Sequence, residues 1–383
     1  LVGLEFVVRS QDLVFDSTQH GPSPIRNSAY DAACFRTSLT RGWEAVPGKC
    51  GHNEWGMYGD YPHAKGDGVY RVLVLGDSIA DQRTWVNQME ARLRKLAPGK
   101  KIEVWNAGVP GYDTCTELQV LNEQGLPLKP DLVLVQFCLN DYLVASTVVP
   151  LDDGRVRVQA GEQVTDLPRW VLRSRLLTYG IVTFGFMSSY INPHEAPEEQ
   201  HLINSWRCFA SMKLQLEAQG GRLATAIFPA FITDEPGNKM EELATGGVIG
   251  GHKEGEARVK MFMEKLKVSH VELRKAFEGL GPLEGYREAK NDIWHPNRHG
   301  QHIIGEALGK ALAPVVRGEL KQGGTSLPFT MDKEAAKKPP TQAGPRDSAG
   351  TKRGPGAGPG PGPGPGGAQG QPPPPQDKPQ EGR

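Results

Sequence analysis

The chain has 383 residues, 38% of them hydrophobic, which suits one large α/β core with appendages better than several small domains. Lys+Arg and Asp+Glu are equal at 44 each, so no overall field draws the chain to nucleic acid or to an acidic surface. The five cysteines, Cys34, Cys50, Cys115, Cys138 and Cys208, show no CxxC or Cys/His spacing able to close a tetrahedral site; this argues against structural zinc, and no metal or organic cofactor is expected.

The first residue is Leu1, not methionine. That fits a processed product that has lost a signal peptide or membrane anchor, and with it an extracytoplasmic location, whether periplasmic, secreted or membrane-anchored. Residues 1–67 mix charge, Gly and Pro with short apolar runs and are expected to form an irregular amino-terminal extension. An odd number of cysteines cannot all pair within one chain. Cys34 and Cys50 are candidate partners in this region, which the sequence alone does not decide.

The pattern changes at Tyr70, and residues 68–318 are expected to form the main domain. Val72-Leu73-Val74-Leu75 is a continuous apolar run ending at Gly76, as a strand buried on both faces would be. Trp85, Met89, Leu93 and Leu96 follow at helical spacing and place one stripe against a sheet. The alternation continues with a strand around residues 102–105, a helix at 114–123 and a strand at 132–137. Beyond these come a helix at 200–218, a strand near 223–228, a helix at 256–277 and a last helix at 301–316. Repeated βα units of this kind give a doubly wound parallel sheet whose ligands sit at the carboxyl ends of the strands.

Residues 148–190 interrupt the alternation as a cap-like insertion. Asp153-Gly154 before alternating Val156 and Val158 predicts a hairpin, and residues 167–186 a hydrophobic helix carrying Trp170, Tyr179 and Phe184. These aromatics either line an acyl or sugar pocket or seal the cap against the core. The apolar stretch 176–187 is too short to span a bilayer, and a buried or lid helix is favoured over an interfacial one. After Phe329 no aromatic residue follows, and residues 354–367 are nearly pure Gly and Pro. Residues 319–383 are therefore expected to form a disordered tail.

Chemistry concentrates at two distant places. Ser78 in Gly76-Asp77-Ser78 lies just past a buried strand, where the turn into the next helix exposes its hydroxyl and aims its amide at incoming substrate. Asp292-Ile293-Trp294-His295 supplies an imidazole with a carboxylate three residues earlier, able to hold Nδ1 while Nε2 faces Ser78. His299 and His302, on the helix that follows, read as surface or packing residues. Asn106-Ala107-Gly108-Val109-Pro110-Gly111 follows the second strand and Leu139-Asn140-Asp141 the third. Both are loops at the same sheet edge, where a glycine amide and an asparagine side chain are natural donors to an oxyanion.

Gly76-Asp77-Ser78-Ile79-Ala80 approaches the G-x-S-x-G elbow of α/β-hydrolases. A nucleophile after the first core strand and an acid three residues before the base argue against that fold. The four blocks together resemble the SGNH superfamily of GDSL-type esterases and lipases, over roughly residues 68–318. The resemblance implies an α/β, flavodoxin-like three-layer α/β/α sandwich with a parallel sheet, and a serine ester hydrolase working through an acyl-enzyme. It implies Ser78 as nucleophile, His295 as base and Asp292 as its partner, with Ser78, Gly111 and Asn140 forming the oxyanion hole. The partner it implies is a small-molecule or glycan ester, with no cofactor. Two departures stand out: Ile79 replaces leucine with little change of volume, and Cys138 replaces the usual glycine of the third block, which could shift the loop holding Asn140. Two other readings keep the fold: an O-acyltransferase acting on a cell-surface polysaccharide, and a non-catalytic glycan-binding domain.

Overall fold

The computed structural model describes residues 34–38, 41–142, 198–232, 252–290, 292–320 and 325–338, with short pieces at 3–4, 148–150, 155–160, 163–168, 174, 176–177 and 194–195. In chain order, an antiparallel hairpin of β1 (Phe35–Ser38) and β2 (Gly42–Ala45) comes first. Then β3 (Val69–Leu75) leads into a one-turn helix, α1 (Ser78–Asp81), and into α2 (Thr84–Leu96). After β4 (Lys101–Asn106) come α3 (Thr114–Val120) and β5 (Leu132–Phe137). A four-stranded antiparallel sheet follows, built from β6 (Val148–Pro150), β7 (Arg155–Ala160), β8 (Gln163–Pro168) and β9 (His194–Glu195). The remaining elements are α4 (Glu198–Ala218), β10 (Arg222–Ile227), α5 (His252–Leu266), β11 (Ser269–Glu272) and α6 (Arg298–Val316).

The central sheet is parallel throughout, in the spatial order β4-β3-β5-β10-β11. Counted along the chain, its strands lie 2-1-3-4-5, the flavodoxin-like doubly wound order, which reverses between the first and third strands. Successive residues of each strand face opposite sides, so Val72, Val74, Leu132, Leu134, Ala224 and Ala226 pack with α2 and α6. Leu73, Leu75, Val133, Val135 and Ile227 pack on the other face with α3, α4 and α5. The result is a three-layer α/β/α sandwich. Near-continuous apolar strands arise because helices cover both faces.

On the first face α2 and α6 approach unusually closely. A Cβ at Gly305 would lie 2.5 Å from the Trp85 carbonyl oxygen, and one at Gly309 2.5 Å from the Arg92 Cβ. Glycine at these two positions of α6 lets the helices meet almost backbone to backbone.

Four expectations need correction. The helix expected over 256–277 ends at Leu266; Lys267 adopts φ 56°, Val268 N–H returns to the Met263 carbonyl, and the chain continues as the fifth strand, β11, and then a 3₁₀ turn, Leu273–Phe277. Ser-His-Val-Glu is short and polar, so only its pairing with the free edge of β10 makes it a strand. Of the helix expected over 167–186, Leu167 and Pro168 instead end β8, where they pair with β7, while Leu176 and Leu177 are helical; Trp170, Tyr179 and Phe184 lie outside the described residues. Part of the segment expected to be disordered packs on the domain: Leu327 and Ala336 are buried, Phe329 and Met331 cover the core, and Leu327 N–H bonds the His270 carbonyl. Residues 34–67, expected to be irregular, hold the β1–β2 hairpin, the Cys34–Cys50 disulfide and a bridge from Tyr58 to Asn106 at the end of β4.

The hairpin expected near Asp153-Gly154 is present as β6 and β7, with Val148 opposite Val158. A second disulfide, not foreseen, joins Cys115 of α3 to Cys208 of α4 and leaves Cys138 as the free thiol. Among the described residues no helix is long and apolar enough to cross a membrane.

Candidate active site

The register of β3 with its neighbours, Val74 opposite Asn106 and Leu75 opposite Val135, brings the carboxyl ends of β3, β4 and β5 to one edge. This is the point where strand order reverses, so the loops after these strands diverge and leave a crevice. Ser78 opens α1 directly beyond β3. Asp77 caps the turn, its Oδ1 accepting the Ile79 N–H at 2.8 Å.

Three side chains hold this turn from below and beside. Buried Gln136 of β5 accepts the Asp77 N–H at 3.0 Å. Asn106 Nδ2 donates to the Ala80 carbonyl at 2.8 Å, and Trp85 Nε1 donates to the Ile79 carbonyl at 2.8 Å. Gly108 passes so close that a Cβ there would lie 2.5 Å from the Ala80 Cβ and 2.7 Å from the Ala80 backbone carbon. The β4 loop needs glycine at this position to pack on the nucleophile turn.

The segment Asp292 to His295 comes to the same edge from the far end of the chain. Its buried Ile293 packs with Ala230 and Ile232 beyond β10, and the Ile293 carbonyl accepts the Phe231 N–H at 2.7 Å. On the other side the His295 carbonyl accepts the Glu288 N–H at 2.9 Å. Asn297 then caps α6, its side chain accepting the Gly300 N–H.

The imidazole of His295 lies between Asp292 and Ser78. Nδ1 is 2.8 Å from Asp292 Oδ2 and 3.0 Å from Oδ1; Nε2 is 2.7 Å from Ser78 Oγ. Asp292 Oδ1 also accepts the backbone N–H groups of Trp294 and His295, which fixes the carboxylate under the ring. Burial pushes the His295 imidazole down, but the hydrogen bond and charge of Asp292, aided by Asp77 and Glu288, hold it above its ordinary value. Burial likewise pushes the Asp292 carboxyl up, and its bonds to His295 and Trp294 bring it below the usual carboxylate range.

Asn140 sits in the 3₁₀ turn after β5 (Leu139–Tyr142), half-buried, its Nδ2 donating to Asp77 Oδ2 at 3.3 Å. Cys138 fits its buried place without opening the loop: its Sγ contacts Asn140 Oδ1 and lies 3.5 Å from Asp77 Oδ2, and its N–H bonds Asp141 Oδ2. Gly111 stands exposed in the turn after Val109, with φ 76°. His299 bonds the Ala336 carbonyl.

Ser78, His295 and Asp292 thus form a continuous hydrogen-bonded chain at one sheet edge, and Asn140 joins the nucleophile turn through Asp77, while Gly111 stands in the loop after β4. Gln136 and the packing role of Gly108 were not picked out. A single polar residue in Leu-Val-Leu-Val-Gln-Phe was the available signal for Gln136, since a buried strand keeps an amide only where it has a partner.

No family model and no curated relative matches the chain. Similar solved structures include a catalytic mutant of Axe2, an acetylxylan esterase from Geobacillus stearothermophilus, at 15% identity and TM-score 0.40, covering 63% of this chain and 93% of that one. A GDSL-like lipase from Parabacteroides merdae aligns at 13% identity and TM-score 0.40, covering 67% and 99%. TesA aligns at 19% identity and TM-score 0.38, covering 65% and 99%.

Proposed function

We propose that the chain is a serine ester hydrolase of the GDSL type, acting on a carboxylic ester of a small alcohol or a glycan. The observation that carries this reading is the unbroken chain from Ser78 Oγ to His295 Nε2 at 2.7 Å and from His295 Nδ1 to Asp292 at 2.8 Å. A hydroxyl with a base in reach, and a base held by a third group, is the arrangement of an activated nucleophile.

In the first step His295 Nε2 takes the Ser78 proton as Oγ bonds the ester carbonyl carbon. Asp292 holds the imidazole in the Nδ1–H tautomer and stabilises the imidazolium that forms. The carbonyl oxygen, now an oxyanion, receives the Ser78 amide, the Gly111 amide and the second N–H of Asn140. Collapse expels the alcohol, which takes its proton from His295. Water activated by the same imidazole then releases the acid. The elevated basicity of His295 favours removal of the proton from Ser78 and from water, and places the onset of activity above pH 6.5.

The two disulfides, Cys34–Cys50 and Cys115–Cys208, support an oxidising, extracytoplasmic setting for this chemistry. The test is fluorophosphonate labelling with peptide mapping, alongside hydrolysis of an aryl ester panel of increasing acyl length. Label on Ser78, with turnover abolished in Ser78→Ala and Tm unchanged, is the expected result; full turnover in Ser78→Ala removes the assignment. Adding a glycan acceptor to the same assay distinguishes hydrolysis from acyl transfer, and binding without labelling would favour a non-catalytic domain.

A further inference from the structure

Directly beneath the nucleophile turn lies a cluster of buried acids without Lys or Arg partners among the described residues. Asp77, Asp113, Glu117 and Asp141 are each at most 2% exposed, and Cys138 is 1% exposed among them. One carboxylate oxygen each from Asp77 and Asp141 and the Cys138 sulfur lie within 4.8 Å of one another. No Lys or Arg is among the groups that act most strongly on these residues; His295, facing Asp77 alone, is the one potential cation.

The polar atoms of the cluster divide sharply into used and unused. Asp77 Oδ1 caps α1, and Asp141 Oδ2 accepts the Cys138 N–H. Asp113 Oδ1 caps α3 by accepting the Cys115 and Thr116 N–H groups. Among the described residues, Asp141 Oδ1, Asp113 Oδ2 and both carboxylate oxygens of Glu117 have no hydrogen-bond partner. Glu117 is the independent signal: a fully buried carboxylate, both oxygens unsatisfied, whose strongest neighbours are Asp77 and Asp113. An orphaned buried carboxylate costs far more than a bonded one, so Glu117, set beside three other buried acids, must be met by a cation or hold a proton.

We propose that this cluster binds one divalent cation of the zinc class, ligated by Asp77, Cys138 and Asp141, with the buried Glu117 carboxylate adding negative charge beside the ligands. A thiolate among carboxylates selects a borderline ion over the hard calcium or magnesium, which prefer oxygen alone. Binding breaks the Cys138 S–H bond, the proton leaving to buffer and the sulfur lone pair forming the metal bond. The ion is structural: it ties the cap of the nucleophile turn to the loop that carries Asn140. The sequence argued against zinc because the cysteines show no CxxC or Cys/His spacing. The fold assembles the ligands from the ends of β3 and β5, and the inference stands independently of the role given to Ser78.

The test uses the full chain with both disulfides intact, in which Cys138 is the free thiol. After dialysis against a chelator the protein is titrated with Cd²⁺, read by the ultraviolet thiolate-to-metal charge-transfer band, and with Zn²⁺, read by Tm and bound-metal analysis. One equivalent should saturate the band and raise Tm. Cys138→Ser should abolish the band, and Glu117→Gln should weaken apparent affinity about tenfold or more. Absence of a saturable band in the wild type overturns the proposal and leaves the carboxylates holding protons. Zinc uptake undiminished in Cys138→Ser also overturns it, placing the ion on surface histidines. If Cys138→Ser does not fold, the wild-type band and its weakening in Glu117→Gln decide.

Discussion

Replacing Asp292 by Asn tests the catalytic reading at its least obvious member. Asp292 Oδ1 accepts the backbone N–H groups of Trp294 and His295 at 3.0 and 2.9 Å, and both carboxylate oxygens reach His295 Nδ1. An asparagine keeps its single oxygen on the two backbone donors, which turns its NH₂ toward Nδ1. The imidazole must then accept at Nδ1 and carry its proton on Nε2, facing Ser78 with a donor where a base is needed. An exchange of this kind in a Ser-His-Asp triad costs about 10⁴ in kcat, or roughly 5–6 kcal/mol of transition-state stabilisation. The pH profile should move as well. His295 acts in its neutral form, and Asp292 raises it above the ordinary 6.5, so wild-type kcat/KM should climb through a limb above pH 6.5. Without the carboxylate, burial dominates and the limb should shift to lower pH. The assay is kcat/KM for an aryl acetate between pH 5 and 9, with Tm as the control for folding. A loss under about tenfold with an unmoved limb would refute the argument that Asp292 orients the base.

Three further outcomes follow from packing. Gly108→Ala puts a methyl 2.5–2.7 Å from Ala80 Cβ, Ala80 carbon and Asp81 nitrogen, so α1 must shift. Stability should fall by about 1–3 kcal/mol in urea unfolding, and kcat by about tenfold or more through displacement of Ser78. Arg71 is fully buried, bonding Glu103 and the carbonyls of Pro62, His63 and Leu128. Arg71→Met strands Glu103 and should cost about 3–5 kcal/mol by equilibrium unfolding; a loss below about 1 kcal/mol would mean that Glu103 finds another partner. The Cys115–Cys208 bridge joins residues 93 apart, so the double serine variant should lose about 2–4 kcal/mol of stability against denaturant.

The readable parts of the fold were those with strong periodicity. Val72 to Leu75 and Leu132 to Val135 are apolar on both faces because helices cover both, and the Trp85-Met89-Leu93 stripe is buried as its spacing requires. β11 was not readable, since four residues with three polar side chains carry no period and become a strand by completing an edge. The same holds for the Cys115–Cys208 pair, whose partners are close because α3 and α4 share one face of the sheet. Sequence spacing could not distinguish that pairing from any other.

Within the site, residue types were legible and their support was not. Ser78, Asp292 and His295 are recognisable because a hydroxyl past a buried strand and a carboxylate three residues before an imidazole are local patterns. Asn106 and Gly108, which help hold the turn under Ser78, act across strands and have no local signature, and Gln136 shows only as one polar residue in an apolar strand. The acid cluster is the extreme case: Asp113 and Glu117 open a helix, where carboxylates are ordinary capping residues. Only the stacking of that helix beneath β3 and β5 strips them of water and sets them beside Asp77 and Asp141. Local order along the chain determines which groups are present and which elements form. Distance and desolvation between groups remote in sequence are properties of the folded sheet, and these decide what the groups can do.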